Sequence, residues 1–130
     1  MDKSITGVLY YSHSMRIYGT KREQKEISII TKFFPKATIY NPDNIEVSSH
    51  LNPMRKCLDI IRNASTTGII ISTYKGYTGK GVYTEIQEAL AIDKPIWIIN
   101  RRKITPIGNI SIKVININWA VEYAIIEHDV

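Results

Sequence analysis

The sequence predicts an α/β three-layer sandwich: a five-stranded parallel sheet in the order 2-1-3-4-5 with helices on both faces. Three observations lead there. Short β-branched runs alternate with helix-period segments along the chain. The run Gly68-Ile69-Ile70-Ile71-Ser72 is continuous rather than alternating, as in strands buried on both faces of a parallel sheet. The stretches between strands are long enough for the right-handed crossovers that join parallel strands. At 130 residues the chain forms one domain, residues 1–130, with a core of its own and no internal linker.

Ile5 to Tyr11 mixes β-branched and aromatic residues and reads as the first strand. Thr20 to Phe34 carries helical spacing through Ile27, Ile30 and Phe34, and Pro35 stops it. Ala37 to Tyr40 is a short second strand, followed by turn chemistry in Asn41-Pro42-Asp43-Asn44. A second helix runs from about Asn52 to Asn63, with Pro53 in its first turn and an apolar stripe of Met54, Cys57, Leu58 and Ile61. Gly68 to Ser72 is the third strand and Gly81 to Asp93 the third helix, bounded by Pro95. Ile96 to Asn100 reads as strand four, Arg101 to Asn109 as a polar loop, Ile112 to Ile117 as strand five and Trp119 to Glu127 as a closing helix. An open sheet of this order places its ligand in the crevice between strands one and three, at their carboxyl ends.

Hydrophobic residues make up 44% of the chain and charged residues 22%, and no apolar run approaches the roughly 18 residues of a membrane span, so a soluble protein without membrane contact is expected. The start, Met1-Asp2-Lys3-Ser4, lacks the regions of a signal peptide, which predicts a cytoplasmic protein. The lone Cys57 excludes an internal disulfide and lies on an apolar stripe, where it reads as an inert buried thiol. His13, His50 and His128 show no metal-ligand spacing, and neither a metal nor another cofactor is expected. Seventeen basic against twelve acidic residues give a net charge of +5, which favours anionic partners, nucleotides and nucleic acids among them. The basic clusters, Lys21-Arg22 with Lys25, Arg55-Lys56 and Arg101-Arg102-Lys103, are dispersed and read as solvated faces.

One carboxylate breaks the pattern. The apolar stripe of the third helix is Val82, Ile86, Ala89 and Leu90, and Glu85 falls on the same face, an acid where a hydrophobe is expected. The helix dipole favours acids in a first turn by about 0.3–1 kcal/mol. That accounts for an exposed acid better than for one on the inward stripe, so Glu85 is the leading candidate for a working group. Glu88 points away from the stripe and reads as surface charge.

The preceding Gly76-Tyr77-Thr78-Gly79-Lys80-Gly81 is not a Walker A motif, which needs glycine at Tyr74 and Ser or Thr where Gly81 stands, nor a dinucleotide fingerprint, since no third glycine follows. Its glycines still expose backbone N–H groups that can approach a phosphate or sugar. The loop after the first strand, Tyr10 to Gly19, holds hydroxyls, the His13 imidazole and the Arg16 guanidinium. There Arg16 could grip an anion bidentately while Ser14 donates to it.

Leu9-Tyr10-Tyr11-Ser12-His13-Ser14-Met15-Arg16 with Gly19, then Gly79-Lys80-Gly81-Val82-Tyr83-Thr84-Glu85-Ile86 with Ala89-Leu90 and Lys94-Pro95, resemble the nucleoside 2-deoxyribosyltransferase superfamily. The likeness is closest to its branch of deoxynucleoside 5′-monophosphate N-glycosidases. In element order it runs from Ile5 to about Ile126 and includes Asn41-Pro42. The resemblance implies a flavodoxin-like sheet and cleavage of the N-glycosidic bond of a nucleoside 5′-monophosphate or nucleoside, by hydrolysis or base exchange. It implies that Glu85 attacks the anomeric carbon or stabilises its positive charge, through a glycosyl-enzyme resolved by water or a second base. Tyr10 would orient Glu85, while Ser12, His13, Ser14, Arg16, Gly79 and Gly81 would bind substrate, with Arg16 selecting the 5′-phosphate. A homodimer is implied as well.

The chain departs from the family in two places. No acid stands in Asn63-Ala64-Ser65-Thr66-Thr67-Gly68, where the family carries an aspartate, and His13 replaces a glycine. Competing readings are an NAD glycohydrolase, a non-catalytic nucleotide sensor, and a nucleic-acid-binding module acting through the Arg101 to Lys103 loop.

Overall fold

The structure, a computed structural model, describes residues 3–42, 53–73, 77–107, 109–117 and 120–128. The elements in chain order are β1 (Gly7–Ser12), a 3₁₀ turn (Met15–Ile17), α1 (Lys21–Phe33), β2 (Ala37–Tyr40), α2 (Pro53–Arg62), β3 (Thr66–Ser72), β4 (Tyr77–Gly79), α3 (Lys80–Ala91), β5 (Ile96–Asn100), β6 (Lys103–Pro106), β7 (Asn109–Ile117) and β8 (Ala120–His128). A five-stranded, mostly parallel sheet has the order β2-β1-β3-β5-β6. Its first four strands run parallel and β6 runs antiparallel to β5.

Helices cover both faces. Cys57 and Ile61 of α2, with Val82, Ile86 and Ala89 of α3, pack on Tyr10, Ile69, Ile71, Ile96 and Ile98. On the other face Ile30 of α1 and Phe34 pack with Leu9, Tyr11, Ile70, Trp97, Ile99 and Ile104. Successive strand residues face opposite ways, which is why the centre of β3, Ile69-Ile70-Ile71, is apolar on both faces. Gly68 is required by space: a Cβ there would lie 2.6 Å from the Pro95 carbonyl oxygen and 2.7 Å from the Trp97 ring.

Helix ends follow local chemistry. The Thr20 hydroxyl accepts from the Glu23 N–H at 3.3 Å, and the Glu23 carboxylate accepts from the Gly19 N–H at 3.2 Å. α3 closes in a Schellman arrangement, with Lys94 N–H donating to the Ala89 carbonyl and Asp93, at φ 57°, donating to that of Leu90. The Lys94 ammonium donates to the Ile61 and Asn63 carbonyls, 2.6 and 2.7 Å away, and so caps the carboxyl end of α2. None of the described helices is long and apolar enough to cross a membrane.

Three expectations are corrected. The fifth sheet position belongs to Lys103–Pro106, inside the stretch read as a polar loop, and not to Ile112 to Ile117. A two-residue turn, Arg101-Arg102, brings β6 straight back along β5, so that edge is occupied before any later segment can reach it. Residues 120–128 form a strand and not a closing helix; β8 pairs antiparallel with β7 from Asn109↔His128 to Ile117↔Ala120. The alternation Val121, Tyr123, Ile125 satisfies a period of two as well as the apolar content satisfied a helix. Part of the glycine-rich loop is also strand: Tyr77–Gly79 pairs with β8, giving a second, three-stranded sheet β4-β8-β7.

Candidate active site

β1 lies between β2 and β3 in the sheet, with α2 and α3 packed on one face and α1 on the other, so its alternation sends adjacent residues to different helices. Tyr10 and Ser12 face α3. Tyr11 and His13 face α1. Two buried polar clusters result, one on each side of the same strand.

On the α3 side stands Glu85, 5% exposed. Its carboxylate accepts from the Tyr10 hydroxyl at one oxygen and from the Ser12 hydroxyl, 2.7 Å away, at the other. The Cys57 thiol, brought in by α2, interacts with both Tyr10 and Glu85. Among the described residues no cation pairs with this carboxylate. Burial therefore dominates and pushes the Glu85 carboxyl up to about 7, although the hydrogen bonds from Tyr10, Ser12 and Cys57 pull it down. Burial, reinforced by the Glu85 charge, raises the Tyr10 phenol above its ordinary value, so it remains a proton donor. The Cys57 thiol is raised as well, chiefly by burial, and stays protonated rather than nucleophilic. The Tyr10 ring stacks on Tyr40 at 5.8 Å.

Gly81 lies four residues before Glu85 on the same helix face. A Cβ there would lie 3.4 Å from the Met54 methyl group, in ordinary contact. Gly79 is the N-cap of α3 and is exposed, with no atom within 4 Å of where a Cβ would be. Leu90, expected on the inward stripe, is 49% exposed; the stripe runs Val82, Glu85, Ile86, Ala89.

The remaining candidates separate. Ser14 caps the short turn after β1, its hydroxyl accepting from the Arg16 N–H at 3.2 Å, and Arg16 is exposed at the carboxyl end of the strand. His13, expected with the substrate-binding set, is directed to the opposite face from Glu85. Its ring stacks on Tyr11 at 3.8 Å, Nδ1 donates to the Tyr11 carbonyl at 3.0 Å, and Nε2 lies 2.7 Å from the Glu23 carboxylate. His50 lies outside the described residues.

The α1-side cluster was not anticipated. Glu26, also 5% exposed, accepts from the Tyr11 hydroxyl and from the Ser72 hydroxyl at 3.0 Å. Here a cation is present: Arg22 lies 3.5 Å from Glu26 and donates to Ser72 and to the Thr73 carbonyl. The signal that exposed Glu85 was there too, since Glu23 and Glu26 precede Ile30 at helical spacing on the buried stripe of α1. Cys57 had no such signal, because only tertiary packing brings it to Tyr10.

A groove of about 970 Å³ lies along α1 and not over Glu85. The carboxylate is the candidate because of its chemistry rather than the size of a concavity. Among the described residues no group of three His, Cys, Asp or Glu side chains could hold a metal ion. Comparison of the chain with known proteins gave no matching family model, curated protein or solved structure.

Proposed function

We propose that the chain is an N-glycosidase acting on a nucleoside 5′-monophosphate or nucleoside, with Glu85 as the nucleophile. The observation that carries this reading is a buried carboxylate held by two hydroxyls, with no countercharge among the described residues. Such a group has its orientation fixed and its negative charge unsatisfied. Positive charge developing at a nearby carbon is what relieves it, and an anomeric carbon losing its base develops that charge.

In the first step the bond from C1′ to the base nitrogen breaks, its electron pair leaves with the base, and a Glu85 oxygen bonds to C1′. Water or a second base then attacks C1′ and displaces the carboxylate, and the proton it gives up is taken by the departed base, giving hydrolysis or exchange. Tyr10 and Ser12 hold the two carboxylate oxygens in place throughout. Ser14, Arg16 and the N–H groups near Gly79 and Gly81 take the 5′-phosphate. The acid missing from Asn63 to Gly68 does not alter this centre. Ser65 bonds to Val8 at the amino end of β1, whereas Ser12 lies four residues on, about 13 Å away along the strand.

Incubation with deoxynucleoside and nucleoside monophosphates, free nucleosides and NAD, with chromatographic detection of released base, tests the reading. Release that disappears in Glu85→Gln supports it. Release that survives Glu85→Gln, or none from any substrate, rejects it. Nicotinamide from NAD alone would point to the NAD glycohydrolase instead, and ligand binding without turnover to a sensor.

A further inference from the structure

Two basic clusters that the sequence holds far apart meet in the fold. The groove of about 970 Å³ has α1 as one wall, with Lys21, Lys25 and Lys32 on a single stripe, and the β5–β6 turn as the other, with Arg101 and Arg102. All five are exposed, and none has an ion-pair partner among the described residues. The acid in the lining, Glu26, is already engaged by Tyr11, Ser72 and Arg22, so it offers these five no neutralisation.

From this geometry we infer that the groove binds a single-stranded nucleic acid along its phosphate backbone. Length is the first argument. Lys21 and Lys32 are eleven residues apart, about 16 Å along the helix, so the cations call for several phosphates in series rather than one phosphate group. Shape is the second. A concave trough accepts a flexible strand, whereas a duplex is read by elements that project into its own grooves. Half-buried Phe33 in the lining offers a face on which a base can stack.

The turn supplies a third argument. Two-residue hairpin turns favour Asn or Gly where φ is positive. Arg101 sits at φ 58°, a conformation unfavourable for a residue with a Cβ. The fold keeps that strain while placing guanidinium groups at both turn positions, facing the lysines of α1.

The test is fluorescence anisotropy of the full chain with a labelled single-stranded oligonucleotide of about twelve nucleotides, titrated across salt concentrations. Five neutralised phosphates give a slope of log K against log salt of about −3.5. Arg101→Asn with Arg102→Asn is expected to make the slope shallower by about 1.4 and to weaken low-salt binding on the order of ten-fold. Lys3→Ala with Lys36→Ala, which removes equal charge outside the groove, should leave both unchanged. Thermal melting monitors folding, and Lys25→Gln with Lys32→Gln on the exposed helix face repeats the test without touching the turn. Base release should be unaffected by the groove variants, because Glu85 lies across the sheet. The inference fails if no oligonucleotide binds at low salt, if groove and control pairs weaken binding equally, or if a duplex or inorganic polyphosphate binds as tightly as the single strand.

Discussion

Glu85 and Glu26 are near copies of one arrangement. Each is a buried carboxylate on a helix, each accepts from a tyrosine of β1, and each accepts from a serine at the carboxyl end of a strand. They differ in one partner: Glu26 has Arg22, and Glu85 has no cation among the described residues. A compensated carboxylate ties α1 to the sheet, whereas an uncompensated one costs stability and holds its charge in readiness. The strand thus carries a charge-paired version and an unpaired version of one motif on its two faces, and the proposed function assigns the chemistry to the second.

The sharpest way to break the comparison is to delete each acid. Glu85→Ala should abolish base release, lowering it by about 10³-fold or more, while the fold persists by circular dichroism. Glu26→Ala should do the reverse. It strands Tyr11, Ser72 and Arg22, and denaturant unfolding should show a loss of about 3 kcal/mol. Equal effects of the two on turnover would erase the distinction.

Dependence on pH sharpens the same contrast. The folded Glu85 carboxyl lies at about 7 against an ordinary 4.5, so between those values the native state binds more protons than the unfolded one. Its contribution is fully present below about pH 4.5 and fades as pH rises through 7. The expected fall in unfolding free energy is on the order of 3 kcal/mol. Urea melts at pH 5 and pH 8 should show it, and Glu85→Gln should remove it. Tyr10→Phe takes away a hydrogen bond that favours the carboxylate. Its base release should fall about 10- to 100-fold, with the rising limb of the pH profile moved to higher pH. The smallest effect concerns the groove turn: Arg101→Gly should raise stability by up to about 1 kcal/mol, read as a higher Tm.

β1, β2, β3 and β5 were legible because their β-branched runs have no good helical alternative. β6 was not, since its turn is Arg101-Arg102 and carries none of the Gly, Asn or Pro that announces a hairpin. β8 was misread because its apolar residues fit both periods, and only pairing with β7 decides between them. Glu85 stood out as an acid on an apolar stripe, and Glu26 offered the same signal but was passed over. His13 joins the substrate-binding set only through the family resemblance, and the alternation of β1 turns it to the face opposite Ser12.

α2 and α3 lie side by side in the same direction, and at one end they are stapled. Lys94 grips the last carbonyls of α2, and the Arg62 guanidinium donates to Glu88 across the gap. At the other end the Met54 methyl group of α2 lies beside Gly81 of α3, 3.4 Å from where a Cβ would be. Two rods clasped at one end resist splaying there. The helix that carries Glu85 is therefore held to its neighbour by an ammonium on backbone carbonyls and by one ion pair, and not by apolar contact alone.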